Sequence, residues 1–285
     1  MSGRRPGSAA SDTPAAPLAV VAVLGLGEAG AAISQDLIAA GVTVRGYDPV
    51  RRGPAGIVVT SSDADACAGA DLVLSLTCAH ESEAAFRAAA PAVRPAALYA
   101  DLNTSSAGLK QRIADLAGRA GVAFADVAMM SSVPGRGIRT PMLVSGPAAV
   151  AVAGAINQLG GDAEVLDGPA GAAATRKLVR SVFYKGMAAA VVESLRAGRA
   201  AGCEGWLRDN IAAELAAAGP ATLERLEEGS SVHAVRRADE MAAAAALLSE
   251  LGVPARIAAA SRDWLNQLAQ EDRPPEGHVS DVSKS

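Results

Sequence analysis

An apolar run over residues 18–24 stops at Gly25-Leu26-Gly27-Glu28-Ala29-Gly30 and gives way to a helix-like stretch over 28–40, closed by Gly41. An unbroken apolar run of that length predicts a strand buried on both faces. The pattern G-x-G-x-x-G says little alone in a chain with 29 glycines. Set between a strand and a helix, it has the context of a dinucleotide cradle. Gly25 would make the tight turn, Gly27 would let a pyrophosphate approach the backbone, and Gly30 would seat the helix close to the sheet. Leu26, Glu28 and Ala29 complete the turn, and the helix N-terminus offers N–H groups and a positive dipole end to phosphate. The Glu28 carboxylate must then point away from the phosphates.

Strand-like and helix-like runs keep alternating. Strands are predicted over 42–47, 56–60, 71–76, 97–101, 122–127 and 142–145, and helices over 81–90, 105–120 and 148–159. Such alternation indicates βαβ units and a parallel sheet. Near Gly168 the pattern becomes helical only, beginning with a long run over 169–201. Val232, Val235, Met241, Ala245 and Leu248 form a later helical stripe, with Ser230 and Ser231 as candidate caps. The predicted fold is α/β, an N-terminal Rossmann doubly wound sheet over 18–167 followed by an all-α C-terminal domain over 168–270. Residues 1–17 and 271–285 read as disordered tails, and 1–17 has no apolar segment of a secretion signal.

Composition narrows the function classes. Half the residues are hydrophobic, only 3% are aromatic and the net charge is -4. That balance argues against a nucleic-acid binder, which needs a basic footprint and stacking rings. No run approaches the ~18 apolar residues of a membrane span. Cys67, Cys78 and Cys203 have no ligand or disulfide spacing, which suits a reducing cytoplasm. The three histidines are scattered, so no metal is expected, and neither a Gly-x-Ser-x-Gly elbow nor a Walker lysine is present.

The second strand ends at Asp48. A carboxylate there accepts hydrogen bonds from the adenosine ribose and repels a 2′-phosphate, which favours NAD. Arg51 and Arg52 follow closely and offset that repulsion, leaving NADP as the alternative.

The segments Gly25 to Gly30, Tyr47-Asp48-Pro49, Asp101-Leu102-Asn103-Thr104-Ser105 and residues 126–146 together resemble the 3-hydroxyacid dehydrogenase superfamily, which includes 3-hydroxyisobutyrate and 6-phosphogluconate dehydrogenases. The stretch from Asp126 to Pro134, followed by Thr140 to Gly146, is most similar to the subgroup of phosphogluconate-dehydrogenase-like NAD-binding proteins. The resemblance covers about residues 18–265. It implies a Rossmann domain followed by a helical domain, a homodimer built through the helical half, and oxidation of a hydroxyl on a small, anionic hydroxy acid or the reverse reduction. It also places the catalytic lysine at Lys177, in the segment Gly171 to Arg180. The chain departs from the family pattern at Ala173 for glycine, Arg180 for asparagine, and Met130-Ser131-Ser132 for Ser-Gly-Gly. These departures sustain two further readings, an imine reductase on the same architecture and a cofactor-binding protein without turnover.

Basic-residue usage bears on the lysine. Only four lysines (Lys110, Lys177, Lys185 and Lys284) accompany 22 arginines. Two of them sit on one otherwise apolar predicted helix. An ammonium can lose its proton when desolvated, whereas a guanidinium stays charged. Hydride transfer moves one proton at the substrate oxygen, so an acid/base group is required there. Lys177, Ser181 and Tyr184 share a helical stripe, and Lys185 is rotated from it by about 80°. Lys177 is the candidate acid/base and Lys185 an anion contact; the structural alternative is that both snorkel to solvent. Thr77, Asn103 and Thr104, just past strand ends, are candidate nicotinamide-ribose contacts. Met129, Ser131, Ser132 and Ser181 are candidate substrate contacts, and Arg136 and Arg139 candidate carboxylate clamps.

Overall fold

The computed structural model describes residues 18–271. The two expected tails therefore lie outside the described residues, except that Glu271 closes the last helix.

The alternation becomes an eight-stranded sheet. Its strands are β1 (Val20–Leu24), β2 (Thr43–Tyr47), β3 (Val58–Val59), β4 (Leu72–Ser75), β5 (Leu98–Asp101), β6 (Ala123–Met129), β7 (Pro141–Ser145) and β8 (Asp162–Val165). The spatial order is β3-β2-β1-β4-β5-β6-β7-β8. Connecting helices are α1 (Glu28–Ala39), α2 (Asp63–Cys67), α3 (Ser82–Ala89), α4 (Ala107–Ala120) and α5 (Ala149–Gln158). β1 and β4 are buried almost throughout, as their unbroken apolar runs require. The order reverses direction between β1 and β4, which is where doubly wound sheets open a ligand crevice.

The sheet is parallel except at one pair. β7 runs antiparallel to β6, with Asp126 opposite Ser145 and Met129 opposite Met142. This corrects the all-parallel expectation. The connection over 130–140 carries only a single 3-10 turn, Gly137–Arg139, and a parallel return needs a longer crossover. Two short elements, α2 and β8, also went unpredicted; β8 is a largely exposed edge with no apolar run.

Apolar side chains fill both faces of the sheet. Val21, Val23, Ile33 and Leu37 lie on one face with α1 and α5. On the other, Phe86, Tyr99 and Phe124 pack together, Phe86 meeting Tyr99 edge-on at 5.1 Å between ring centroids.

The described residues divide into two compact units, one ending at Arg180 and the other starting at Ser181. The long helix α6 (Ala172–Ala200) starts in the first unit. The second unit continues with α7 (Glu204–Ala217), α8 (Pro220–Val232), α9 (Ala234–Glu250) and α10 (Arg256–Glu271). Glu193 of α6 caps α10, its carboxylate accepting the N–H groups of Arg256, Ile257 and Ala258 at 2.8–3.0 Å. Ser230 and Ser231 are not caps: both lie inside α8, and the Ser230 hydroxyl donates to the Leu226 carbonyl. Of the predicted stripe, Leu248 is buried and Met241 and Ala245 are half-buried, but Val232 and Val235 are exposed, and the buried face begins instead with Ala234 and Ala238. The Ala-rich composition hid the true face, because small residues carry little hydropathic contrast.

Candidate active site

The glycine-rich turn is held by contacts that only glycine permits. Gly25 has φ +92°, and a Cβ there would stand 2.4 Å from the Leu76 carbonyl oxygen. A Cβ on Gly30 would meet the Gly25 oxygen at 1.9 Å. Gly27 precedes α1 with no side-chain cap, so the first N–H groups of that helix are not closed off by a side chain. Glu28 is exposed. Beside the turn opens a cleft of about 910 Å³, lined by Gly25, Gly27, Asp48, Arg51, Thr77 and Cys78 among others. An uncapped helix start, a bare glycine backbone and an adjoining cleft fit a dinucleotide.

Asp48 closes β2, but its carboxylate is turned inward. One oxygen accepts the Leu26 N–H at 2.9 Å, and the other accepts those of Val50 and Arg51 at 2.8 and 2.9 Å. Partial burial acts to raise its pKa; these three donors and the Arg51 charge outweigh that and hold it below the usual carboxylate value. Arg51 reaches back over the turn, with Nη1 3.4 Å from where a Cβ on Gly27 would lie. A cation therefore stands beside the glycine-rich turn, while the acid is occupied by backbone donors.

At the C-terminal ends of β4 and β5, Thr77 is half-buried, Asn103 buried and Thr104 exposed. Asn103 donates from Nδ2 to Asp101 at 2.6 Å and to the Ser75 hydroxyl at 3.1 Å, while its Oδ1 accepts from the Thr77 hydroxyl at 3.4 Å. Asn103 is thus held by its neighbours, and Thr77 and Thr104 present the more accessible hydroxyls.

Lys177 lies in the second turn of α6 and is partly buried. The start of that helix is anchored to the sheet. Asp126, inside β6, accepts the N–H groups of Gly171 at 3.1 Å and Ala174 at 2.9 Å, and Ser145 accepts that of Ala173 at 3.0 Å. Burial, then the positive charge of Lys110, push the Lys177 ammonium below the ordinary lysine value; Asp126 opposes them. A lysine shifted in that direction is suited to exchange a proton.

Reading by sequence missed Lys110. It is fully buried on α4, on the same face as Ile113 and Ala117. Its Nζ lies 2.7 Å from the Asp101 carbonyl, 3.1 Å from Asp101 Oδ2 and 3.1 Å from Asp126 Oδ1. A signal was available: Asp101 and Asp126 fall on neighbouring strands in direct register, and two buried carboxylates so close call for a cation.

The other candidates are more dispersed. Met129 ends β6, and Ser131, Ser132, Arg136 and Arg139 are exposed in the loop that follows. Ser181 and Lys185 are on α6 beyond the first unit, Lys185 being exposed. Among the described residues no cluster of three or more His, Cys, Asp or Glu is arranged to hold a metal, and no helix is long and apolar enough to cross a membrane.

Residues 20–167 match the family described as the NAD binding domain of 6-phosphogluconate dehydrogenase, and residues 199–268 match a domain of unknown function (DUF1932). A probable 3-hydroxyisobutyrate dehydrogenase of Mycobacterium tuberculosis is 31% identical over 129 residues, 43% of this chain and 44% of that protein. The chain thus aligns with less than half the length of this relative. Among solved structures, a conserved hypothetical protein from Sinorhizobium meliloti is 26% identical with 93% of each chain covered and a TM-score of 0.57. An imine reductase from Myxococcus stipitatus in complex with NADP+ shares the fold at TM-score 0.72 and 17% identity, covering 89% of this chain and 95% of that one. A reductive aminase from Aspergillus terreus in complex with NADPH does so at 0.73 and 19%, covering 90% and 95%.

Proposed function

Since the chain belongs to the family of the 6-phosphogluconate dehydrogenase NAD-binding domain, within the 3-hydroxyacid dehydrogenase superfamily, we propose that it is an NAD(P)-dependent oxidoreductase of a small 3-hydroxy acid or its carbonyl partner, with Lys177 as general acid/base. The cofactor is NAD(P), held at the turn from Gly25 to Gly30. When bound, it supplies or accepts the hydride. The observation that carries the reading is Lys177 itself, partly desolvated on a helix anchored to the sheet by Asp126. In oxidation the carbinol hydrogen leaves as hydride and the hydroxyl proton passes to the neutral Lys177 amine. In reduction the Lys177 ammonium gives that proton to the new alkoxide. Thr77 and Thr104 are assigned to the nicotinamide ribose, and Met129, Ser131 and Ser132 to an anionic substrate.

The test is a panel of hydroxy acids, phosphorylated ones included, scored by absorbance of reduced nicotinamide with NAD and NADP separately. Turnover that depends on Lys177 supports the reading. A second reading is reduction of C=N bonds, suggested by the fold shared with imine reductases and a reductive aminase. Turnover of cyclic imines without turnover of hydroxy acids would favour it. Tight cofactor binding with no turnover on either panel would instead favour a binding protein.

The helical unit is assigned to homodimer formation. Val182, Phe183, Trp206, Leu226 and Val235 on α6 to α9 are exposed apolar side chains, whose burial between two copies would remove apolar surface from water. Sedimentation of the full chain at micromolar concentration tests this. The three free thiols suit a reducing compartment such as the cytoplasm.

A further inference from the structure

A lysine with no exposed surface is uncommon unless it is paired. Lys110 is paired: its Nζ donates to the Asp101 carbonyl and forms ion pairs at 3.1 Å with one carboxylate oxygen of Asp101 and one of Asp126. Packing alone does not explain it, because replacing a buried ion cluster by apolar side chains is often neutral or stabilising. What distinguishes this cluster is where its two carboxylates lead.

Asp101 uses its other oxygen to accept the Asn103 backbone N–H at 3.0 Å and the Asn103 side-chain amide at 2.6 Å. Asn103 in turn meets Thr77. Asp126 uses its other oxygen on the Gly171 and Ala174 N–H groups at the start of the helix that carries Lys177. Gly171 packs so closely on α4 that a Cβ would lie 2.8 Å from the Ala107 carbonyl oxygen. One ammonium therefore joins the ends of β4 and β5, the middle of β6 and the first turn of α6.

We propose that Lys110 is a positioning residue for proton transfer: it fixes Asp126 at the N-terminus of α6 and Asp101 against Asn103, and so holds Lys177 and the Thr77–Asn103 pair in one register. The inference rests on the proposed acid/base role of Lys177. It assigns Lys110 no contact with substrate or cofactor. Lys177 feels Lys110 from α4 and Asp126 from β6, with Arg176 and Arg180 flanking it on its own helix.

The test uses the full chain labelled with carbon-13 at lysine Cε. With four lysines in the sequence, each signal can be assigned by single replacement and titrated by NMR. Asp126→Asn keeps an oxygen for the Gly171 and Ala174 N–H groups but removes the charge. It should lower the Lys177 titration midpoint by about one pH unit. Lys110→Met should raise it by a similar amount, and the pH limb of kcat should move the same way in each variant. A purely structural role would reduce stability in both without moving the midpoint in opposite directions. Unmoved midpoints in folded variants would overturn the proposal, and if Lys110→Met does not fold, Asp126→Asn decides alone. Retained turnover in Lys177→Met is a separate outcome. It would end the acid/base reading, while the NMR midpoints would still report whether the cluster acts on Lys177.

Discussion

The Asp48 carboxylate accepts the Leu26 N–H at 2.9 Å, so the acid that ends β2 clasps the middle of the glycine-rich turn. The residue expected to read the ribose is therefore also a strut of the cradle. Asp48→Ala should weaken NAD and NADP together, with at most a small change in their ratio. Cofactor titration by fluorescence checks this, and a large shift of preference with NADP binding intact would contradict it. The sign with pH follows from the depressed carboxyl. Its stabilisation is present above the unfolded value of about 3.9 and is lost as pH falls through the folded value.

Gly25 combines φ +92° with the Leu76 carbonyl close to its missing Cβ. Gly25→Ala meets both the left-handed penalty and a backbone clash, and should cost more than about 1 kcal/mol. Denaturant unfolding followed by a probe in the first unit should show it, together with weaker cofactor binding. Unchanged affinity would separate the turn from the cofactor.

Glu193 caps α10 through three N–H groups. Some burial acts to raise its pKa, but these hydrogen bonds and the Arg256 charge bring it below the usual value. The cap is thus effective above the unfolded value of about 4.3 and is lost as pH falls through the folded one. Glu193→Ala should cost about 1 kcal/mol and speed amide exchange at Ile257 and Ala258, while leaving exchange in β1 unchanged.

The depressed Lys177 ammonium sets the sign of the pH–rate profile. Oxidation needs the neutral amine, so its kcat/KM should rise as pH climbs through the folded Lys177 value and then level off. Reduction needs the ammonium and should fall across the same window, which lies below the free-lysine value of about 10.4. Parallel profiles in the two directions would contradict the assignment. The same depression means that protonating Lys177 costs folding free energy at lower pH, and the cost is relieved as pH rises through the folded and then the unfolded value.

How far the sequence could be read depended on whether the cause was local. The strand from Val20 to Leu24, its glycine turn and α1 were legible because apolar period and left-handed glycine act within a few residues. The antiparallel direction of β7 was not, since hydropathy carries no strand direction and only the short connection decides it. Asp48 was placed correctly at the end of β2, but the inward turn of its carboxylate depends on the N–H groups of Leu26, Val50 and Arg51. Lys110 was hidden for a similar reason. On α4 it resembles any surface lysine until Asp101 and Asp126, from two separate strands, converge on it.

Lys177→Met removes the amine while keeping much of the side-chain volume, and so separates proton exchange at Lys177 from its packing. Turnover of whichever hydroxy acid or carbonyl the wild-type chain accepts should be measured beside NAD(P)H affinity on the same preparation. With Lys177 as the acid/base, kcat should fall by about 10²–10⁴-fold with cofactor affinity essentially unchanged; turnover within a few-fold of wild type would rule out that role.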